Sequence, residues 1–153
     1  MDVLRLAKKF YMEIRPQAPR FDNAAAAIHG LDQGRLRREG LPRAEACRQL
    51  STWVARTCDP KCQPVFVGHN APFDWSFVSY TYVAENVPNP FGYKALDTKA
   101  LAMGVLGLHW FDSSKETLQG LLNLPPEDPN TKHRADADAE YQAKILIGLL
   151  NRM

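Results

Sequence analysis

Residues 64–70 read Pro-Val-Phe-Val-Gly-His-Asn. The run is apolar, too short for a helix, and lacks the polar alternation of a half-buried strand. A run of this kind fits a strand covered on both faces, as in a parallel sheet. Parallel strands require crossover helices, so the stretch points to an α/β layer architecture. Its neighbours supply the helices. "APFDWSFVSYTYVAEN" predicts a helix directly after it, "YKAL" a second short strand, and "DTKALAMGVLG" a helix closed by Gly107.

Upstream, "KKFYMEIRP" (8–16) alternates Phe10, Met12 and Ile14 with Tyr11, Glu13 and Arg15, and predicts a strand stopped by Pro16. "FDNAAAAIHGL" predicts a turn and a short helix ending at Gly30. Cys47, Leu50 and Val54 fall at helical spacing in "PRAEACRQLSTWV". Ser113 and Glu116 have capping-box spacing in "SSKETLQGLLNL", and a last helix runs from about Ala135 to Leu150.

At 153 residues the chain is one domain's worth, and 45% hydrophobic with 24% charged residues is ordinary for a soluble globular protein. A net charge of +2 is too small to argue for nucleic acid by itself. With no basic-then-apolar leader and no bilayer-length apolar run, a cytoplasmic protein without membrane contact is expected. Cys47, Cys58 and Cys62 are odd in number and do not suggest a disulfide scaffold. Cys58 and Cys62, with His69 further on, lack a fourth zinc ligand and read as loop and packing thiols.

The last helix holds a misplaced charge. Wound at 100° per residue with Asp138 at zero, Ile145, Leu149, Ala135, Leu146, Ala139 and Leu150 cover roughly −20° to +120°. Asp138 falls inside that apolar stripe, while Asp136, Glu140 and Lys144 lie opposite, the last two as an exposed i,i+4 pair. A carboxylate facing a core is paired or binds a metal. From this helix alone two readings stand: Asp138 pairs with Arg134 or caps a turn, or it coordinates a cation. His133, in the loop ahead of the helix, is either an exposed residue or a base able to deprotonate water near neutral pH.

Four segments in order resemble the DEDDh superfamily of 3′–5′ exonucleases, which includes polymerase proofreading subunits and ribonuclease T. "HNAPFD" is similar to its second motif and "HRADAD" to its third; "ALDTKALA" resembles the strand-Asp-Thr-helix segment between them, and "AAAAIHGL" an earlier one. The resemblance covers residues 8–150 and implies a ribonuclease H-like mixed five-stranded sheet flanked by helices. It implies Asp74 and Asp138 as ligands of Mg²⁺ or Mn²⁺ in a two-metal site, and His133 as general base. Asn70 would orient substrate or its turn, and Phe73 would contact substrate. The implied function is metal-dependent hydrolysis at the 3′ end of single-stranded DNA or RNA, and a homodimer is compatible with it.

One part is missing. The family's first motif, Asp-x-Glu on the first strand, puts both carboxylates on one strand face. Here only 28 residues precede His29, and residues 1–9 contain Asp2 but no matching Glu. The pair Asp138 and Glu140 has the right spacing, but on a helix the two point about 200° apart. The chain is therefore expected to be a single exonuclease-like domain, truncated at its N-terminal side relative to the family. It would lack the sheet's first two strands and show little or no turnover alone. The competing reading is a catalytically impaired module of the same fold that binds a nucleic-acid end or a partner protein.

The remaining features carry less. "GRLRREGLPR" (34–43) could touch phosphates but reads as a solvated loop and helix start. Trp75, Phe77, Tyr80 and Tyr82 could stack a terminal base, although a dense aromatic set is mostly core. Trp53 and Trp110 read as core.

Overall fold

The computed structural model describes residues 6–18 and 22–153, so Asp2 and Phe21 lie outside the described residues. In chain order the elements are α1 (Asn23–His29), α2 (Gln33–Glu39), α3 (Arg43–Thr57), β1 (Phe66–Gly68), α4 (Ala71–Ala84), β2 (Ala95–Asp97), α5 (Thr98–Leu106), α6 (Lys115–Leu121) and α7 (Ala135–Leu150). A single 3-10 turn, Trp110–Asp112, lies between α5 and α6. The architecture is α/β, as the apolar run at 64–70 predicts. No described helix is long and apolar enough to cross a membrane.

Among the described residues the sheet has two strands, β1 and β2, running parallel with Phe66 opposite Ala95, Val67 opposite Leu96 and Gly68 opposite Asp97. The strands end level, so the residues that follow them, His69 and Thr98, meet at the sheet's carboxyl edge, 3.1 Å apart from Nδ1 to Oγ1. In open α/β sheets that edge is where ligands bind. Phe66 anchors this layer by packing on Trp75 (ring centroids 5.1 Å apart) and Phe91 (5.8 Å).

Capping sets the helix boundaries. Asp97 accepts a hydrogen bond from the Lys99 amide (2.9 Å) and starts α5, while Gly107, at φ 67°, ends it in a conformation open to glycine without strain. α6 begins at Ser114, whose Oγ accepts from the Thr117 amide (3.2 Å). The expected cap, Ser113, lies one residue too early. It is fully buried and donates to the Trp110 carbonyl (2.7 Å), because the 3-10 turn consumes an extra residue before the helix begins.

The main core is formed by Ala102 of α5, Leu118 of α6, neighbouring Leu122, and Tyr141, Ile145 and Leu149 of α7. On the other side α3 and α4 are joined by the Tyr82 hydroxyl, which donates to the Cys47 carbonyl (3.1 Å) and lies 3.1 Å from Ser51 Oγ. Cys47 is buried, Cys58 ends α3, and Cys62 is exposed; all three are free thiols.

Several expectations need correction. The segment 8–16 is extended but is no strand. Ile14 forms one isolated parallel bridge to Leu41, and Phe10 turns aside to stack on Trp53 (5.4 Å). Its partner is a loop residue between two helices, so no ladder can propagate. The basic stretch 34–43 contains α2, with Leu36 buried and Arg35 chelating Glu13 through two bonds of 2.5 and 2.8 Å. Trp110 is at the surface, with the Lys99 ammonium 4.4 Å from its ring centre. Asp136 is half-buried against Arg134 rather than free on the surface.

The apolar stripe of α7 is wider than its cover. Tyr141, Ile145 and Leu149 face the core, and Tyr141 (at about −60° on the same wheel) was outside the expected arc. The other half, Ala139 and Ala143, lines an open cleft of about 640 Å³ together with Phe10, Leu50, Trp53 and Phe66. Among the described residues, β1 has no strand on its second edge.

Ile145 is completely buried at the centre of the main core. Ile145→Ala should therefore lower the unfolding free energy by about 3 kcal/mol in urea titrations. A loss below about 1 kcal/mol would mean that α7 is not the element holding this core together.

Candidate active site

The turn after β1 places the first carboxylate. Asn70 adopts the left-handed conformation (φ 62°, ψ 48°), which Asn tolerates better than most residues. The chain reverses there, and Pro72 sits in the first turn of α4, where its missing N–H leaves no helical bond unmade. Gly68 is required because a Cβ there would stand 3.1 Å from Ala71 Cα and 3.2 Å from Ala71 Cβ. The Asn70 amide donates to Asp97 Oδ1 (2.9 Å), the same oxygen that caps α5. One carboxylate thus fastens the β1–α4 turn to the start of α5.

Asp74 follows one turn into α4, half-buried, and α4 has no side-chain cap. It is therefore not the helix cap. Burial raises its pKa, and the Asp138 charge raises it further; its own amide and Lys115 oppose this. Asp74 and Asp138, 64 residues apart in sequence, thus lie within electrostatic reach of each other.

Asp138, the buried-face acid of α7, is held on both oxygens. Lys115 of α6 contacts Oδ1, and Gln142, one turn along α7, donates to Oδ2 (2.6 Å). Arg134 pairs with Asp136 instead (3.1 Å), because it precedes the helix and points away from the core stripe. Gln142 also reaches β1, accepting from the His69 amide (2.9 Å). Lys115 has a second partner in Glu127 at 3.5 Å. Burial works against the Lys115 charge, but bonding to Asp138 and the charges of Asp138 and Glu127 outweigh it, so its pKa is raised.

His69 lies beside the pair, more than half-buried. Its Nδ1 is 3.1 Å from Thr98 Oγ1, and that hydroxyl donates to the Gly68 carbonyl (3.2 Å). Thr98 has only one proton to give, so Nδ1–H of His69 must be the donor and Nε2 is left as an acceptor. Burial is the main cause of its lowered pKa, so the ring is neutral at pH 7.

Of the residues expected from sequence, Asp74 and Asp138 are brought together, and Asn70 and Phe73 flank them. Asn70 acts as the left-handed pivot and is exposed. Phe73 is 63% exposed and meets Phe77 edge-on at 5.3 Å. His133 is not gathered in: it sits exposed on the turn before α7 and has no hydrogen bond or ion pair among the described residues. Sequence reasoning missed Lys115, Gln142, Thr98 and the position of His69. Gln142 was legible as the i+4 neighbour of Asp138. Lys115 comes from another helix, and no local pattern marks it.

The chain is 33% identical to the 3′-5′ DNA exonuclease Cap18 of Escherichia coli over 139 residues, covering 91% of this chain and 73% of that protein. The chain belongs to the DEDDh 3′–5′ exonuclease superfamily. Ribonuclease T of Marinobacter nauticus is 28% identical over 154 positions, covering 97% of this chain and 67% of the relative. Ribonuclease T of Hahella chejuensis is 30% identical over 135 residues, covering 86% of this chain and 60% of the relative. No protein-family model matches the chain.

The superfamily's metal chemistry can be tested against the donors present. Two half-buried carboxylates, one raised in pKa by burial and then by the other's charge, form a pair that a hard cation would relieve. Two oxygen donors of this kind fit one divalent ion. They do not fit two: among the described residues no group of three or more His, Cys, Asp or Glu side chains is placed to hold a metal.

The raised pKa of Asp74 has a sign that can be checked. Its folded pKa exceeds the unfolded value of about 3.9, so the folded state holds its proton more tightly. Ionisation thus costs stability as pH rises through that value toward the folded pKa, and the loss persists at neutral pH. In EDTA, Asp74→Asn should melt at a higher temperature than the parent at pH 7, with the gap closing below about pH 4. A variant less stable than the parent at pH 7 would mean that Asp74 is paired rather than strained.

Proposed function

We propose that the chain is the catalytic-site portion of a nuclease that removes nucleotides from the 3′ end of single-stranded DNA or RNA, with a divalent cation. The supporting observation is the convergence of Asp74 and Asp138 at the carboxyl edge of the parallel sheet. Relatives named as exonucleases and ribonucleases agree with it. In this reading the parallel strands β1 and β2 belong to a ribonuclease H-like arrangement.

Asp74 and Asp138 would hold Mg²⁺ or Mn²⁺, which supplies charge to the scissile phosphate and acidity to the attacking water. The remaining work falls to this chain's own residues. Neutral His69, with Nε2 free to accept, lines the crevice and can orient a water or a sugar hydroxyl. Gln142 holds Asp138 in a fixed rotamer and ties it to the β1 backbone. Phe73, exposed and braced by Phe77, offers a face for the terminal base to stack on; such stacking is worth about 1–3 kcal/mol per base. Asn70 presents its side chain at the same rim. His133, outside the gathered residues on the exposed turn five residues before Asp138, would take the proton of the attacking water once substrate brings that water to the turn.

Because the donors fit one ion rather than two, turnover should be slow. A 5′-labelled single-stranded DNA and the matching RNA, incubated for hours with Mn²⁺, should show a weak ladder of 3′-shortened products. EDTA, Asp74→Asn and Asp138→Asn should each abolish it. Products persisting in EDTA or in both variants would refute the assignment. Retained binding of the oligonucleotide without any shortening would identify an end-binding module instead.

A further inference from the structure

The Lys115 ammonium occupies one oxygen of a carboxylate read above as a cation ligand. It contacts Asp138 Oδ1, and its charge also reaches Asp74. It comes from the first turn of α6, a different element from either carboxylate. Its second partner, Glu127, is 3.5 Å away, and that side chain is only 11% exposed. Glu127 has no other ion-pair partner among the described residues. The ammonium therefore has two berths within reach of one flexible side chain: one on the carboxylate pair and one beside it.

We propose that Lys115 is a resident cation of the Asp74–Asp138 pair and withdraws to Glu127 when a divalent ion enters. This rests on the reading of those carboxylates as the cation-binding pair. Two half-buried carboxylates within electrostatic reach of each other are unfavourable without a positive charge. The ammonium supplies that charge in the metal-free protein and keeps Asp138 in its bound rotamer together with Gln142. A divalent ion carries twice the charge but must first displace the ammonium, so Lys115 sets the concentration at which the ion binds. Glu127 lowers the barrier to that exchange by giving the displaced ammonium a partner. Lys115 is thus a positioning residue, and its effect on metal affinity has a definite sign.

A purely structural role for this triad predicts that removing either Lys115 or Glu127 weakens the site. The exchange predicts opposite signs. Mn²⁺ affinity of the whole chain is read from the signal of the free ion by electron paramagnetic resonance, without substrate. Lys115→Met should bind Mn²⁺ about two- to fivefold more tightly than the parent, as expected for loss of a competing part-exposed ion pair. Glu127→Gln should bind more weakly, because the ammonium then has only Asp138. Lys115→Met leaves Glu127 buried without a partner, so the double variant Lys115→Met with Glu127→Gln is measured as well and should match the tighter value. Asp138→Asn tests the underlying site and should lose Mn²⁺. If Asp138→Asn loses the ion but Lys115→Met binds with unchanged or lower affinity, the exchange is overturned and the site stands. If Asp138→Asn binds as the parent does, both fall. If neither the parent nor Lys115→Met takes up Mn²⁺, the exchange is likewise overturned, because vacating the pair should admit the ion.

Discussion

The packing of α7 against α5 and α6 is the contact on which the rest depends. Tyr141, Ile145 and Leu149 close the core over Ala102, Leu118 and Leu122. The same helix surface that buries these side chains carries Asp138 and Gln142, so the apolar and polar parts of the site are positioned together. Gln142 then extends the registration to the strand through the His69 amide. A slip of α7 by one residue would turn Asp138 by about 100° and separate it from both Lys115 and Asp74.

The other half of the site is set by backbone geometry. The left-handed Asn70, the absent Cβ at Gly68 and the doubly used oxygen of Asp97 fix where α4 begins, and hence where Asp74 lies. These three features lie within or next to the two strand ends. The shortness of the sheet therefore does not loosen the crevice. Asp138 is held from outside its own turn by the Lys115 ammonium on one oxygen and by Gln142 on the other.

Much of this was legible in the sequence wherever the signal was local. The range of α7, the apolar run of β1, the terminator at Gly107 and the inward position of Asp138 follow from periodicity and capping alone. The failures have a common cause. Segment 8–16 has strand alternation, but pairing requires a neighbouring strand, and only Leu41 is offered. Ser113 matches a capping pattern but is displaced by a 3-10 turn that no pattern announces. Trp110 is aromatic, yet it finds a lysine at the surface rather than the core. Lys115 could not be foreseen as the partner of Asp138, because the pairing is made by the packing of two helices. The order of motifs is readable along the chain; the ion pairs among them are not.

The division of the carboxylates between α4 and α7 has a consequence for how the crevice comes into being. β1, α4, β2 and α5 are consecutive, whereas α7 meets β1 across a separation of 73 residues, from His69 to Gln142. Sequence separation therefore favours closure of the Asp74 half before Asp138 joins it. Any fluctuation that lifts α7 dissolves the pair while leaving the α4 half standing, so the amide protection of α7 in hydrogen exchange is also a measure of how long the crevice exists.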